Sequence, residues 1–157
     1  MTVFYETKNF KIKAANRPLI DRKDGGHILI IPKLKKEHRW QLPVKIVQEM
    51  AVLSMVVGEA MKKALNKRGI PVERINFQDN GNWSIGTKHK NEVHLHLFGR
   101  AKNSKHQKRG ESIRFPSKKT KFWKKLEPLN AGDIQLILKE INKLLKSKKY
   151  KHCISFK

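Results

Sequence analysis

The spacing of apolar residues in the first hundred positions predicts four strands and one long helix. Residues 10–15 alternate apolar and basic side chains, which is typical of a strand with one solvent-facing side. Residues 27–31 form an isoleucine-rich run that stops at Pro32, as expected for a central strand buried on both faces. Shorter runs predict further strands at residues 74–78 and 92–98.

Two segments have helical periodicity. In residues 44–67 apolar positions cover much of the circumference, so this segment is expected to be the main core helix, with Pro43 as its first residue and Gly69 ending it. A second apolar stripe begins after Asn130, a suitable N-cap, and predicts a helix near 131–147.

These elements indicate an α+β domain with an antiparallel sheet of about five strands, one long core helix and a C-terminal helix. The 157 residues suit a single domain, 1–157, in which residues 100–157 form a basic C-terminal extension. Residues 148–156 would either add an edge strand or fray.

Charge is the strongest compositional signal. The chain has 36 Lys and Arg against 13 Asp and Glu, a net charge of +23, which implies a polyanionic partner or substrate. One cysteine, Cys153, excludes an internal disulfide framework. The sequence has no membrane-length apolar run and no secretion signal at its start, so we expect a cytoplasmic protein without a membrane partner.

The strand predicted at residues 92–98 carries the candidate chemistry. Alternate side chains of a strand share a face, so Glu92, His94 and His96 lie in a row, with apolar residues between them facing the core. Two histidines and a carboxylate can bind Fe(II) or Zn²⁺. A neutral imidazole can also attack a phosphoryl centre and form a covalent phosphoramidate. The row by itself permits both chemistries.

Other motifs favour the second chemistry. Gly26-His27 followed by three apolar residues, Pro32-Lys33, a long helix and then His94-Leu95-His96-Leu97-Phe98 resemble, in that order, the histidine triad (HIT) superfamily of nucleotide hydrolases and transferases. The resemblance extends over residues 10–100. The following stretch is similar to the tail of a bacterial HIT-like subgroup.

The resemblance implies a role for each matching residue. His94 corresponds to the central histidine, the nucleophile that accepts the nucleotidyl group. His96 corresponds to the third histidine, which holds a phosphate oxygen or the leaving group. His27 corresponds to an upstream histidine of the same pocket. Asn16 or Asp21 lies where the family places a residue that binds ribose hydroxyls, although the spacing to His27 is longer here.

One position departs from the family pattern. Glu92 occupies the place of the first triad histidine. Its carboxylate would orient His94 or stabilise the imidazolium, and it would also repel an approaching phosphate. His89 is a weaker candidate for the missing histidine, because its odd offset puts it on the other face of a regular strand. Arg100, which ends the motif, is assigned to nucleotide binding.

The C-terminal extension concentrates basic charge. Residues 100–157 contain 18 Lys and Arg against 4 Asp and Glu, a net +14. Lysines neutralise phosphates and aromatic rings stack on bases. The candidate polyanion-binding residues are Lys118, Lys119, Lys121, Trp123, Lys124 and Lys125. A solvated basic loop and electrostatic steering of small nucleotides are the two other interpretations.

The leading hypothesis is therefore a nucleotide hydrolase or nucleotidyl transferase. It would act on phosphoanhydride or phosphoramidate nucleotides, such as dinucleoside polyphosphates, through a nucleotidyl-His94 intermediate. The covalent step requires no metal cofactor, and Mg²⁺ would enter only with the substrate phosphates. The resemblance also suggests a homodimer. The alternatives are a nucleic-acid-binding HIT-like module with weak or no catalysis, and a Glu92/His94/His96 metal site.

Overall fold

The computed structural model confirms the α+β architecture. It describes residues 2–81, 84–88, 91–108, 110–117 and 120–151. The strands are β1 (Thr2–Glu6), β2 (Phe10–Ala14), β3 (His27–Pro32), β4 (Val72–Gln78) and β5 (Leu95–Ala101), and the helices are α1 (Val44–Lys67) and α2 (Ala131–Leu145). The strands form one antiparallel sheet in the order β1-β2-β3-β5-β4.

The fifth strand comes from the N-terminus. The sequence pattern offered residues 148–156 as an edge strand, but residues 148–151 form turns and 152–157 lie outside the described residues. Instead β1 pairs with β2 at one edge of the sheet. Its short run of β-favouring residues, Val3-Phe4-Tyr5, precedes the first strand that the alternation indicated.

Both helices pack on one face of the sheet. Alternate residues of β3, Ile28 and Ile30, are fully buried and join the side chains of α1 and α2 in one core. Pro43 is the N-cap of α1 rather than its first residue, and Gly69 follows the helix at a φ of 75°. No helix in the described part of the chain is both long and apolar enough to cross a membrane.

A buried ion-pair cluster fixes the start of α2. Asp133 is completely buried, and its carboxylate accepts hydrogen bonds from Arg22, which lies in a short 3₁₀ turn before β3, and from Arg68 at the C-cap of α1. Asn130 and Asp133 also cap each other across the first turn of α2. The two helices and the loop before β3 are therefore tied at one point.

On the other face of the sheet, loops cover the two central strands, β3 and β5, which are buried on both sides. The buried carboxylate of Asp24 accepts hydrogen bonds from the backbone N–H groups of Lys105, His106 and Gln107, at 2.7, 2.8 and 3.1 Å. The Gln107 side chain donates to the carbonyl of Arg114 and accepts from its N–H. The first part of the basic extension is thus bound to the domain by polar contacts.

Two glycines allow the loop before β3 to lie directly against β5. A Cβ atom at Gly99 would be 2.1 Å from the carbonyl oxygen of Gly25, and one at Gly25 would be 2.4 Å from the carbonyl carbon of Gly99. The neighbouring Gly26 carbonyl accepts a hydrogen bond from the Gly99 N–H. A side chain at either Gly25 or Gly99 would push the loop before β3 away from the backbone of β5.

We expect Gly99→Ala to lower the free energy of unfolding by at least the 1–3 kcal/mol usual for overpacking, because the clash is with backbone and cannot relax by a rotamer change. Gly110→Ala is the matched control: its φ is 81° and no atom lies within 4 Å of the added Cβ, so only backbone strain of roughly 1–2 kcal/mol is expected. Urea unfolding of both variants measures this. Equal losses would show that the close contact is not a constraint.

Candidate functional site

A cavity lies where the N-terminal end of β5 meets loops from three parts of the chain. Its volume is about 650 Å³. The residues that line it are Leu19, Asp79, Asn80, Gly81, Ser84, Asn91, Glu92, His94, His96 and Phe115. Two apolar residues, two imidazoles and several polar groups therefore surround one space.

His94 is held in a defined tautomer. Its Nδ1 lies 2.6 Å from the backbone carbonyl oxygen of Glu92. Because a carbonyl can only accept a hydrogen bond, Nδ1 carries the proton and donates it. In the neutral ring Nε2 then has a free lone pair, which is the requirement for a nucleophile or base. The side chain is half-buried and lines the cavity.

His27 and His96 form a hydrogen-bonded pair whose tautomers follow from one backbone amide. The Leu19 N–H donates to Nδ1 of His27 at 3.2 Å. The proton of neutral His27 is therefore on Nε2, which lies 2.8 Å from Nδ1 of His96 and donates to it. The proton of His96 must then be on its own Nε2. His96, which lines the cavity, is thereby set as a neutral hydrogen-bond donor.

Burial keeps this pair neutral. The pKa of His27 lies well below its usual value, first because the ring is buried and then because charge on His96 and His94 would repel its own. Burial, followed by the same repulsion from His94, lowers the pKa of His96 to about 3. Neither ring is protonated to the imidazolium near neutral pH, so both act by position and hydrogen bonding.

Aromatic rings lie in a row beside His94 and His96, the two catalytic candidates. The His94 and His96 ring centroids are 4.7 Å apart, and His96 stacks on fully buried Phe98 at 5.1 Å. Phe115 from the basic extension lies 5.9 Å beyond Phe98 and closes that end of the cavity. The sequence predicted the shared face of the strand. It did not predict Phe115 or Leu19, whose only signal was their apolar character within polar stretches.

Glu92 contributes its backbone rather than its carboxylate to the position of His94. The carboxylate is paired with Lys35 at 2.9 Å and is half-exposed. Regular strand structure begins only at Leu95, because the Val93 N–H donates to the carbonyl of Lys36 instead of to a neighbouring strand. In the structure the contact that orients the His94 ring is the Glu92 carbonyl. Stabilisation of a His94 imidazolium by the Glu92 carboxylate stays a prediction.

None of the four predicted nucleotide-binding residues lines the cavity. His27 is buried behind His96, to which it is hydrogen-bonded. Asn16 is exposed. The Asp21 carboxylate is buried and accepts hydrogen bonds from the N–H groups of Lys23 and Glu127, at 2.8 and 2.6 Å. Arg100 donates to backbone carbonyls of the extension. These contacts fix loops, and nucleotide binding by Asn16, Asp21 and Arg100 stays a prediction.

The predicted polyanion-binding residues are only partly described. Lys121, Lys124 and Lys125 are exposed on a 3₁₀ helix, and Trp123 beside them is half-buried with its N–H bonded to the Pro116 carbonyl at 3.1 Å. Lys118 and Lys119 lie outside the described residues, as does His89. None of the described residues of this group lines the cavity.

Within the described residues, Asp21, Asp24 and His106 bring metal-ligating atoms together, whereas Glu92, His94 and His96 do not. The oxygens of the Asp21 and Asp24 carboxylates already accept backbone N–H groups. This cluster is therefore a polar support for loops, and the metal alternative for the histidine row receives no support from the geometry.

Comparison with solved structures shows which fold this is. A hypothetical histidine triad nucleotide-binding protein from Sulfolobus tokodaii is 18% identical with a TM-score of 0.60, over 92% of this chain and 85% of that chain. A zinc-bound histidine triad family protein from Mycobacterium smegmatis is 19% identical with a TM-score of 0.57, over 92% and 87%. A HIT-like protein from Bartonella henselae involved in cell-cycle regulation is 16% identical with a TM-score of 0.56, over 88% and 85%.

No protein-family model and no curated protein matches the sequence. The structural matches nevertheless agree with the motifs found in the sequence. The chain has the histidine triad fold.

The neutral histidine pair predicts a pH dependence of stability. Below a pH of about 6.5 the unfolded chain protonates His27 and His96 while the folded protein does not, so the free energy of unfolding falls as the pH decreases. Each histidine contributes up to about 1.4 kcal/mol per pH unit. Urea unfolding between pH 7 and 4 measures the slope.

His96→Gln should flatten this slope because it removes one of the two groups. His38→Gln, at an exposed histidine, is the matched control and should keep the slope of the wild type. The prediction is wrong if His96→Gln and the wild type lose stability in parallel over this range.

Proposed function

We propose that the protein hydrolyses or transfers nucleotides through a covalent nucleotidyl-His94 intermediate. The observation that carries this proposal is the 2.6 Å contact between Nδ1 of His94 and the Glu92 carbonyl, which leaves Nε2 as a lone pair at the cavity. The histidine triad fold agrees with a role on nucleotides.

The proposed reaction has two displacements. The Nε2 lone pair of His94 attacks the α-phosphorus, an N–P bond forms, and the P–O bond to the leaving phosphate breaks. His96 donates a hydrogen bond from Nε2–H to a phosphate oxygen. Water or an acceptor hydroxyl then attacks phosphorus, gives up its proton to solvent, and the N–P bond breaks to regenerate neutral His94. The residues need no metal for these steps, and Mg²⁺ would arrive with the substrate phosphates.

The two ends of the cavity differ in polarity, and this difference would orient a bound substrate. Leu19 and Phe115 make the end beyond His96 apolar, which suits the nucleoside that becomes attached. Glu92 and Asp79 make the other end polar, where the leaving group would lie. Lys35 pairs with Glu92 at 2.9 Å and Arg39 with Asp79 at 3.1 Å, so these cations offset the repulsion between carboxylate and phosphate.

Covalent labelling tests the nucleophile. Incubation with a dinucleoside polyphosphate or a nucleoside phosphoramidate should give an acid-labile nucleotidyl group at His94. His94→Ala should abolish the label and lower turnover by several orders of magnitude, because no other group forms the N–P bond. Mass spectrometry of the quenched protein and a hydrolase assay measure the two effects.

His106→Ala serves as the matched control, since His106 does not line the cavity. It should keep both label and turnover. Normal turnover in His94→Ala would exclude the covalent mechanism. A wild type that binds oligonucleotides but is never labelled would favour the nucleic-acid-binding module instead.

We also propose a homodimer formed through β4 and α1. β4 is an edge strand whose outer side pairs with no other strand in the described residues. Phe77 on β4 and Met55 on α1 are 47% and 48% exposed, and the Phe77 ring packs on Gly58 of α1. A second copy that adds its own β4 would cover this apolar surface and the free strand edge together.

The combined variant Met55→Asp and Phe77→Asp should be monomeric at concentrations at which the wild type is dimeric. Burying carboxylates against the same apolar surface of the second copy would cost free energy of desolvation. Ile85→Asp, which changes an apolar residue that is 79% exposed and lies outside β4, should leave the dimer intact. Sedimentation velocity measures both. A monomeric wild type would contradict this part of the proposal.

A further inference from the structure

The connection between β3 and α1 presents an exposed aromatic residue among cations. We call residues 33–41, with the sequence Lys-Leu-Lys-Lys-Glu-His-Arg-Trp-Gln, the rim segment; each of its residues is exposed. Trp40 is 80% exposed. Its ring stacks on that of His38, with a centroid distance of 4.3 Å and an interplanar angle of 7°. One face of the indole is therefore covered and the ring is held in place.

The rim segment lies at the polar end of the cavity. Lys35 and Arg39 pair with Glu92 and Asp79, two residues of the cavity wall. The carbonyl of Lys36 accepts the Val93 N–H at 2.8 Å, which fixes the segment beside the start of β5. Trp40 follows Arg39 directly in the short 3₁₀ turn 39–41, and Arg39 is the residue that pairs with Asp79 of the cavity wall.

The row of rings along β5 gives the order of these groups. Phe115 and Phe98 lie at one end, followed by His96, His94 and the Glu92 carbonyl. The rim segment comes after Glu92, at the end opposite to Phe115. A ligand that places one nucleoside against Phe115 and its α-phosphate at His94 must therefore extend its remaining phosphates toward Lys35 and Arg39.

We propose that Trp40, stacked on His38, is a platform for a second nucleobase, the one carried on the far end of a dinucleoside polyphosphate. This inference rests on the proposed function for the position of the first nucleoside and the α-phosphate. An exposed indole binds a base of any type by stacking on its π-face, and such a contact contributes about 1–3 kcal/mol. The neighbouring cations attract the phosphates that connect the two bases.

The test compares diadenosine tetraphosphate and adenosine 5′-tetraphosphate, which share one nucleoside and four phosphates, whereas only the first has a second nucleoside. Binding is measured in a His94→Ala background, which prevents turnover, with Trp83→Phe and Trp123→Phe so that fluorescence reports Trp40. Diadenosine tetraphosphate should quench this fluorescence and bind about 5- to 150-fold more tightly than adenosine tetraphosphate.

Calorimetry without the fluorescence substitutions then measures the role of Trp40. Trp40→Ala should remove the difference between the two ligands, and Trp40→Phe should restore part of it. Val44→Ala is the matched control, since it truncates another apolar side chain that is 73% exposed and close in sequence. It should leave the ratio of the two affinities unchanged. Circular dichroism should be the same for all variants.

Three results would overturn the proposal. The first is equal affinity of the two ligands in the His94→Ala background, and the second is an unchanged ratio when Trp40→Ala is added to it. The third is a Trp40→Ala variant that loses affinity for a short single-stranded oligonucleotide while the ratio is kept, which would assign the platform to nucleic acid. Failure of the covalent mechanism is distinguishable, because it would abolish labelling of His94 and leave the affinity ratio intact.

Discussion

The site depends on one short chain of hydrogen bonds that starts at a backbone amide. Because the Leu19 N–H can only donate, it determines which nitrogen of His27 is protonated, and His27 in turn determines this for His96. A second backbone group, the Glu92 carbonyl, determines the tautomer of His94. There the proton is on Nδ1, whereas in His96 it is on Nε2. Two imidazoles that are two residues apart thus become a hydrogen-bond donor and a free lone pair, and the groups that direct them are backbone groups.

Much of this arrangement could be predicted from the sequence, and the part that could not has a common cause. Alternation along residues 92–98 predicted the shared face of the histidines, because side-chain direction in a strand is a local property. The partners of those histidines are backbone groups, and a sequence does not show where a carbonyl will point. For that reason the Glu92 carboxylate was the natural candidate to orient His94, although the carbonyl of the same residue makes the contact.

Contacts between distant segments of the chain could not be predicted from the sequence either. Phe115 reaches the cavity because Asp24 and Gln107 hold the extension against the domain, and neither contact has a periodic signal. For the same reason the sequence did not show which cations lie beside the cavity. The density of lysines drew attention to residues 118–125, whereas the cations paired with residues of the cavity wall come from the connection between β3 and α1. Local charge density identifies a partner class but not the place where the partner binds.

The contact between Gly25 and Gly99 has a consequence for how β3 and β5 find each other during folding. A slip of two residues would leave every side chain on its original face, so hydrophobic patterning does not oppose it. It would, however, bring Leu97 or Ala101 to the place of Gly99, and a Cβ atom there would collide with the Gly25 backbone. The close contact of the two glycines thereby destabilises misaligned pairings of β3 and β5 that hydrophobic burial alone would allow. Only the observed register of β3 and β5 places His96 beside His27. The contact between two glycine backbones therefore also determines that the histidine pair of the site forms.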